Sequence, residues 1–241
     1  MKNLSQMPKF NPLISVIIPC LNEAENICAC IQSAEGSYPS DQVEIIVVDG
    51  ESTDETLSLI PEHITVFQTQ PNRARQMNMG AKEAKGDIFV FCHADTQLPK
   101  GWREKMIASL EDTYVVGGAF QSRLEPDVGS LKWMNLIKLP KNWRFMYGDQ
   151  GMFVRRTIFE AIGGFPEVIL MEDVELARGM AEKGKVTRID LRVITDSRRM
   201  VEKGVLNQII GNAWRMIRYL YFQATPEEIA STYRSSREET I

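Results

Sequence analysis

The chain has 241 residues, 44% apolar and 25% charged, the balance of an ordinary globular protein whose core needs no disulfide or metal staple. Its net charge of −4, from 28 basic and 32 acidic residues, excludes a globally basic nucleic-acid binder and leaves only local basic patches. Two histidines exclude a His-rich metal site. The four cysteines, Cys20, Cys28, Cys30 and Cys92, form no CxxC pair; they sit in or beside apolar runs and read as buried reduced thiols. The first ten residues carry no apolar signal core, and no uncharged run reaches about 18 residues. Neither a signal peptide nor a transmembrane helix is expected, and the cytoplasm is the default compartment.

A strand is expected over residues 13–18 (LISVII), ended by Pro19, and then a helix over 23–34. A second strand over 44–48 (EIIVV) ends at Asp49-Gly50, with Thr53 or Asp54 placed to cap a short helix. A third strand over 64–68, a turn at Pro71-Asn72, a helix over 75–85, a fourth strand over 88–92 and a helix over 101–111 follow. Continuous apolar strands separated by helices of about ten residues give βαβ units and a parallel sheet, so the fold class is α/β. Ligands of such sheets bind beyond the carboxyl ends of the strands. Polar segments stand there at 19–23, 49–53, 71–75 and 93–96. One such segment can be a plain turn; four together point to a site.

Beyond residue 115 the pattern is less regular. Strands are expected over 115–122 and 148–155, and a helix over 171–183 that begins with Glu172-Asp173. A short strand over 192–195, a long helix over 205–223 and a last short helix over 226–234 complete the chain. No repeat or linker interrupts it. The expected organisation is a domain over residues 1–195 and a C-terminal helical extension over 196–241.

His93-Ala94-Asp95 follows the fourth strand. A carboxylate there can hold a hard cation such as Mg²⁺ or Mn²⁺, which can bridge a diphosphate; it can equally serve as a turn residue. Asp49 can accept hydrogen bonds from a nucleobase or ribose, or end a strand before Gly50. Arg73 and Arg75 can pair with phosphate oxygens or lie solvated. Asp173, at a helix N-terminus beside a cleft, can take a proton from a hydroxyl or act only in capping. The turn 148–151 (GDQG) can line an acceptor pocket or be only a turn.

In their order, SVIIPCLNEAENI, IIVVDGESTDET, RARQMNMGAKEAKGDIFVFCHADT, GDQGMFVRRTIFEAIGGF and MEDVELARGMAEKG resemble a family 2 glycosyltransferase of the GT-A fold, over residues 14–184. FCHADTQLP, TDSRRMVEKG and the terminal helix resemble a small bacterial subgroup with HAD in place of DxD. The resemblance implies a GT-A-like, Rossmann-type, mostly parallel sheet flanked by helices, and a nucleotide-diphosphate-sugar donor. On it, Asp95 matches the metal-binding aspartate, with Ala94 beside it in the donor segment. Pro19, Glu23 and Asp49 match the nucleotide-binding loops, Arg73 the sugar–phosphate segment, and residues 148–151 the loop near donor sugar and acceptor. Asp173 matches the base of an inverting transfer. Two positions depart from the pattern: His93 replaces the first acid of DxD, and Gly50 the second acid of VDDGS.

The implied chemistry is metal-dependent. Asp95 with Mg²⁺ or Mn²⁺ holds the diphosphate, and Asp173 deprotonates an acceptor hydroxyl that attacks in line. A nucleotidyltransferase would open with a Gly-rich, Lys-containing loop, and PCLNEAEN has no glycine. A non-catalytic nucleotide-sugar binding protein would keep Asp49 and Asp95 and need no base; the Glu172-Asp173 pair speaks against it.

Residues 185–218 hold eight bases and three acids, a local charge of +5. The helix there puts Leu206, Ile209, Ile210, Ala213, Ile217 and Leu220 on one face, with Trp214, Tyr219, Tyr221 and Phe222 nearby. Such a helix binds an anionic membrane surface, or packs on its own domain or on a twin subunit in a homodimer. Peripheral contact with the inner face of a membrane suits a lipid-linked acceptor or a cell-surface glycan precursor. Arg198-Arg199 resembles a basic motif that reaches donor phosphates; surface salt bridges are the other reading. No nucleic-acid partner is expected.

Overall fold

The computed structural model describes residues 10–129, 131–168, 170–202, 204–222 and 224–229. The expectations placed on residues 1–9, on the last helix beyond 229 and on the side chains of Arg199 and Leu206 lie outside the described residues.

β1 (Ile14–Cys20) is buried along its whole length between β2 (Val43–Asp49) and β4 (Ile88–Phe91), which is why these three segments are continuous apolar runs. With β3 (Thr65–Gln68) on the outer edge, they form the parallel half of an eight-stranded sheet in the order β3-β2-β1-β4-β7-β6-β8-β5. β7 (Met152–Arg155) runs antiparallel between β4 and β6 (Val115–Glu125). β6 pairs in parallel with β8 (Lys185–Asp196), and β5 (Thr96–Gln97) closes the edge antiparallel to β8. Alternate residues of β1 divide between two cores. Ile14, Val16 and Ile18 pack with Ile31 of α1 (Ile27–Glu35) and Trp102 of α3 (Trp102–Leu110). Ile17 packs with Met77 of α2 (Arg73–Glu83), Phe159 of α5 (Arg156–Ala161) and Leu176 of α6 (Glu172–Lys183). The expected α/β class and mostly parallel sheet are what the chain forms.

Several boundaries differ from the sequence pattern, each for a local reason. Pro19 does not end β1. It pairs opposite Val48, while the β1–β4 ladder runs only from Ile14 to Ile17, so its missing N–H costs no bond on the β4 side. The helix expected from residue 23 begins at Ile27, because the Glu23 carbonyl closes a turn on the N–H groups of Asn26 and Ile27. The short helix after Thr53 is reduced to a 3-10 turn, Leu57–Leu59. Residues 148–155 split into a 3-10 turn, Gly148–Gln150, and β7. The strand expected over 192–195 is the end of the twelve-residue β8. β5, α5 and α4 (Leu131–Met134) had no readable signal. Of the four cysteines, Cys20, Cys30 and Cys92 are buried as expected, whereas Cys28 is exposed, on the outer side of α1.

The direction of β7 matters for the site. Being antiparallel, it brings its leading turn, Gly148–Gln150, to the edge where β1, β2 and β4 end. α7 (Arg198–Glu202) and α8 (Val205–Tyr221) follow β8. Met216, Tyr219 and Leu220 of α8 pack against Met171 and Val174 at the start of α6. Among the described residues, no helix is long and apolar enough to cross a membrane.

Candidate active site

The loops after β1 and β2 are joined edge to edge. Asn22 accepts from Thr53 N at 2.8 Å and donates through its own N–H to Ser52 Oγ at 2.9 Å. Glu23 N donates to Thr56 Oγ1 at 2.8 Å. Asp49 is fully buried beneath them. Its Oδ2 accepts from Ser52 N (3.0 Å) and Gln68 Nε2 (3.3 Å), and its Oδ1 from the Cys20 thiol (3.6 Å). Burial, reinforced by the Asp49 charge, pushes that thiol far up, so it stays a protonated donor. Gln76 of α2 donates to the carbonyls of Cys20 and Val48, at 2.8 Å each, and ties the helix to both strand ends. Asp49 thus spends three of its roughly four acceptor positions on its own loops.

Above these loops lies a cavity of about 390 Å³, lined by Glu23, Glu25, Asp54, Asp95, Asp196 and Arg198 among others. Arg198 reaches it while paired with Asp196 and Glu25, each at 2.6 Å. Pro19 is not among its lining residues, and the Ala94 side chain is packed in the core. Five acids face one arginine there. An anionic diphosphate placed beside them is repelled unless a cation comes with it. The donors are hard oxygens, as Mg²⁺ and Mn²⁺ prefer. Among the described residues no three His, Cys, Asp or Glu converge on one point. The set therefore fits an ion that takes most of its ligands from phosphate and water.

A second group of acids meets at the turn before β7. Gly148 N donates to Asp173 Oδ2 at 2.7 Å, and Val174 N to Asp173 Oδ1 at 2.8 Å. A Cβ at position 148 would lie 2.6 Å from Nε2 of His93, so only glycine lets the turn rest on that ring. Met171, at φ 73°, turns the chain into α6 and presents Glu172 and Asp173 in its first turn. Arg73, the first residue of α2, donates to Glu172 Oε1 at 3.2 Å.

The electrostatics follow from this crowding. Burial, then Asp173 and Asp95, push the Asp149 carboxyl up to about 6. Burial and Asp173 raise Glu172, and Arg73 partly offsets them. The Arg73 side chain is half-exposed; crowding by protein atoms would lower it, but Glu172, Asp173 and Asp95 hold it above its usual range. Burial, then Arg73, keep His93 well below the usual imidazole value, so it is neutral near pH 7.

The structure brings Arg73, Asp95 and Asp173 to this region with Asp149 and His93, and leaves Arg75 out of it. Arg75 pairs with Glu167 at 3.1 Å and faces away. Arg188 was legible only as one charge in a basic segment. It is 3% exposed and donates to the carbonyls of Phe120 (2.7 Å), Pro140 (3.1 Å) and Phe145 (2.6 Å) and to Gln150 Oε1 (2.9 Å). It pins the segment that carries the Gly148 turn. Burial lowers it to about 10, and Asp149 and Tyr147 counter that.

Residues 15–165 match the family model for glycosyl transferase family 2, more than half of the chain. The chain belongs to the family 2 glycosyltransferases. It is 28% identical over 176 residues to glycosyltransferase AglE of Haloferax volcanii, covering 66% of this chain and 58% of that protein. It is 28% identical over 167 residues to a dolichol-phosphate mannosyltransferase of Pyrococcus furiosus, covering 63% of this chain and 45% of that one. It thus spans about half the length of these curated relatives. Among solved structures, the mannosyltransferase PcManGT from Pyrobaculum calidifontis, in complex with GDP-Man and Mn²⁺, superposes with a TM-score of 0.70. Identity there is 19%, over 92% of this chain and 69% of that one. S. aureus TarS 1–349 with UDP-GlcNAc gives 0.64 at 16% identity, over 86% and 66%. At such identities the likeness is one of fold, and the fold is GT-A, as the sequence motifs implied.

Proposed function

We propose that this glycosyltransferase is metal-dependent and inverting, and moves a sugar from a nucleotide-diphosphate sugar to an acceptor hydroxyl. The observation that carries the reading is the Asp173 carboxylate, held against the Gly148 turn beside Arg73, at the edge where the parallel strands end. The joined loops after β1 and β2, with Glu23 on them and Pro19 and Asp49 at the strand ends beneath, receive the nucleotide, and Arg73 and the Ala94 backbone flank the diphosphate. Asp95 would hold the Mg²⁺ or Mn²⁺ ion. Such an ion, when bound, neutralises charge on the departing diphosphate. GDP-Man with Mn²⁺ in the Pyrobaculum neighbour supports that pairing of donor and ion.

In the transfer, the acceptor oxygen bonds to the anomeric carbon as the bond to the diphosphate oxygen breaks. The diphosphate leaves with the bonding electron pair, and the acceptor proton passes to Asp173. Attack from the opposite face inverts the anomeric centre, and one base suffices. In this reading residues 1–195 are the catalytic domain. Residues 196–241 are an extension whose α8 packs on that domain and offers its outer face to the inner side of a membrane or to a twin subunit, with the enzyme otherwise cytoplasmic.

A thermal-shift screen of UDP-, GDP- and dTDP-sugars with Mn²⁺ and Mg²⁺ tests it. A donor at about 100 times its Kd adds about 2.7 kcal/mol, roughly 5–10 °C for a chain this size. The shift should need the ion and vanish in Asp95→Ala. No shift with any donor would refute the reading.

A further inference from the structure

A cavity of about 910 Å³ opens between the segment after β6 and helix α8, near the upper end of small-ligand pockets. At one end it is lined by Arg73, Asp149, Glu172 and Asp173, the group around the proposed base. Most of the remaining lining is apolar: Leu124, Leu139 and Phe145 from one side, Ile209, Met216 and Leu220 from α8. Polar side chains such as Ser122, Asn142, Asn212 and Arg215 also border it, but apolar ones outnumber them, and a fully hydroxylated acceptor would need polar partners along the whole length, because unpaired polar groups are costly to bury. The segments that form both walls also carry apolar side chains out into solvent. Trp133 is 74% exposed, Leu136 72%, Ile210 65% and Trp214 56%. Exposed apolar side chains thus stand on both elements that border the cavity. A second copy docking on α8 would cover the outer part of this surface and leave the inner cavity unexplained.

We propose that this cavity is the acceptor site and that the acceptor is an amphiphile, with its hydroxyl at Asp173 and an apolar chain running along α8. The proposal rests on the reading of Asp173 as the base.

It is tested by calorimetric titration of the intact protein with n-alkyl β-glucosides from methyl to octyl, all below their micellar concentrations. The head is constant, so the series isolates the chain. Each methylene that enters the cavity should tighten binding about fourfold. The heat capacity of binding should become more negative along the series. Ile217→Asp, at a half-exposed lining position of α8, and Leu139→Asn, on the opposite wall, should flatten the dependence on chain length. Two positions on separate elements keep the test sound if one variant fails to fold.

Affinity independent of chain length overturns the proposal, whether or not the protein proves dimeric. An undiminished slope in both folded variants overturns it as well. Failure of the catalytic reading has a different signature: Asp173→Asn would keep both the chain-length slope and full transfer.

Discussion

Asp173→Asn exchanges one carboxylate oxygen for an amide nitrogen at nearly constant volume. In the native site, Oδ2 accepts from Gly148 N at 2.7 Å and Oδ1 from Val174 N at 2.8 Å. Asparagine has one acceptor oxygen, so one of these two N–H groups must face an NH₂ donor. Neither has a ladder partner to fall back on: Val174 N lies in the first turn of α6, where N–H groups have no intrahelical partner, and Gly148 N lies in the turn before β7. The cost is about 1–3 kcal/mol of stability, roughly 2–12 °C in Tm. The catalytic cost is larger. The amide cannot take the acceptor proton, and loss of a general base costs about 10²–10⁴ in rate, or roughly 3–5 kcal/mol of barrier. Donor binding by calorimetry should persist, while transfer at saturating donor and acceptor falls by that factor. Unchanged transfer would refute the assignment of Asp173 as base. Loss of donor binding in parallel with transfer would refute it too, since it would make Asp173 part of the donor site.

Three other changes probe the surroundings. Gly148→Ala puts a Cβ 2.6 Å from His93 Nε2 and pushes the turn off Asp173. Transfer should fall about a hundredfold, as for an ångström-scale misplacement, and a double-mutant cycle with His93→Ala should show strong coupling. The Asp149 carboxyl has a folded pKa of about 6 against 3.8 unfolded, so the folded state holds its proton more tightly. That contribution to stability is fully present below pH 3.8 and is lost as pH rises through about 6. Asp149→Asn should therefore raise the Tm of the metal-free protein at pH 7 and leave it unchanged below pH 4, read by calorimetry across that range. Arg188→Met strips the charged donor from three backbone carbonyls and Gln150. It should cost about 3 kcal/mol or more, roughly 6–12 °C in Tm, and Arg188→Lys should not restore it, because one ammonium cannot reach the same fork.

The parallel half of the sheet was readable because burial on both faces writes itself into a strand as an unbroken apolar run, and β1, β2 and β4 are such runs. The segments around Asp49, Asp95 and Asp173 stood out because strand ends and helix starts carry polar residues at known places. β5, with two residues, and α5, with six, are too short for a period to show. β8 was read only over residues 192–195 because Lys185, Arg188 and Asp190 interrupt its apolar pattern before them. Arg188 buries its charge against carbonyls contributed by residues 43 to 68 positions away, which no local window contains.

Local patterning was thus enough for the class of fold, the order of the parallel strands' helices and loops, and the residues with chemistry to offer. It left open which of those residues meet. Asp173 joins the Gly148 turn, and Arg73 rather than Arg75 joins Glu172, because β7 runs against its neighbours and α2 presents only its first residue to the cleft. The apolar cavity depends on α8 folding back over the start of α6. These are contacts between residues tens of positions apart, chosen by packing of whole elements, and chain-local periodicity carries no record of them.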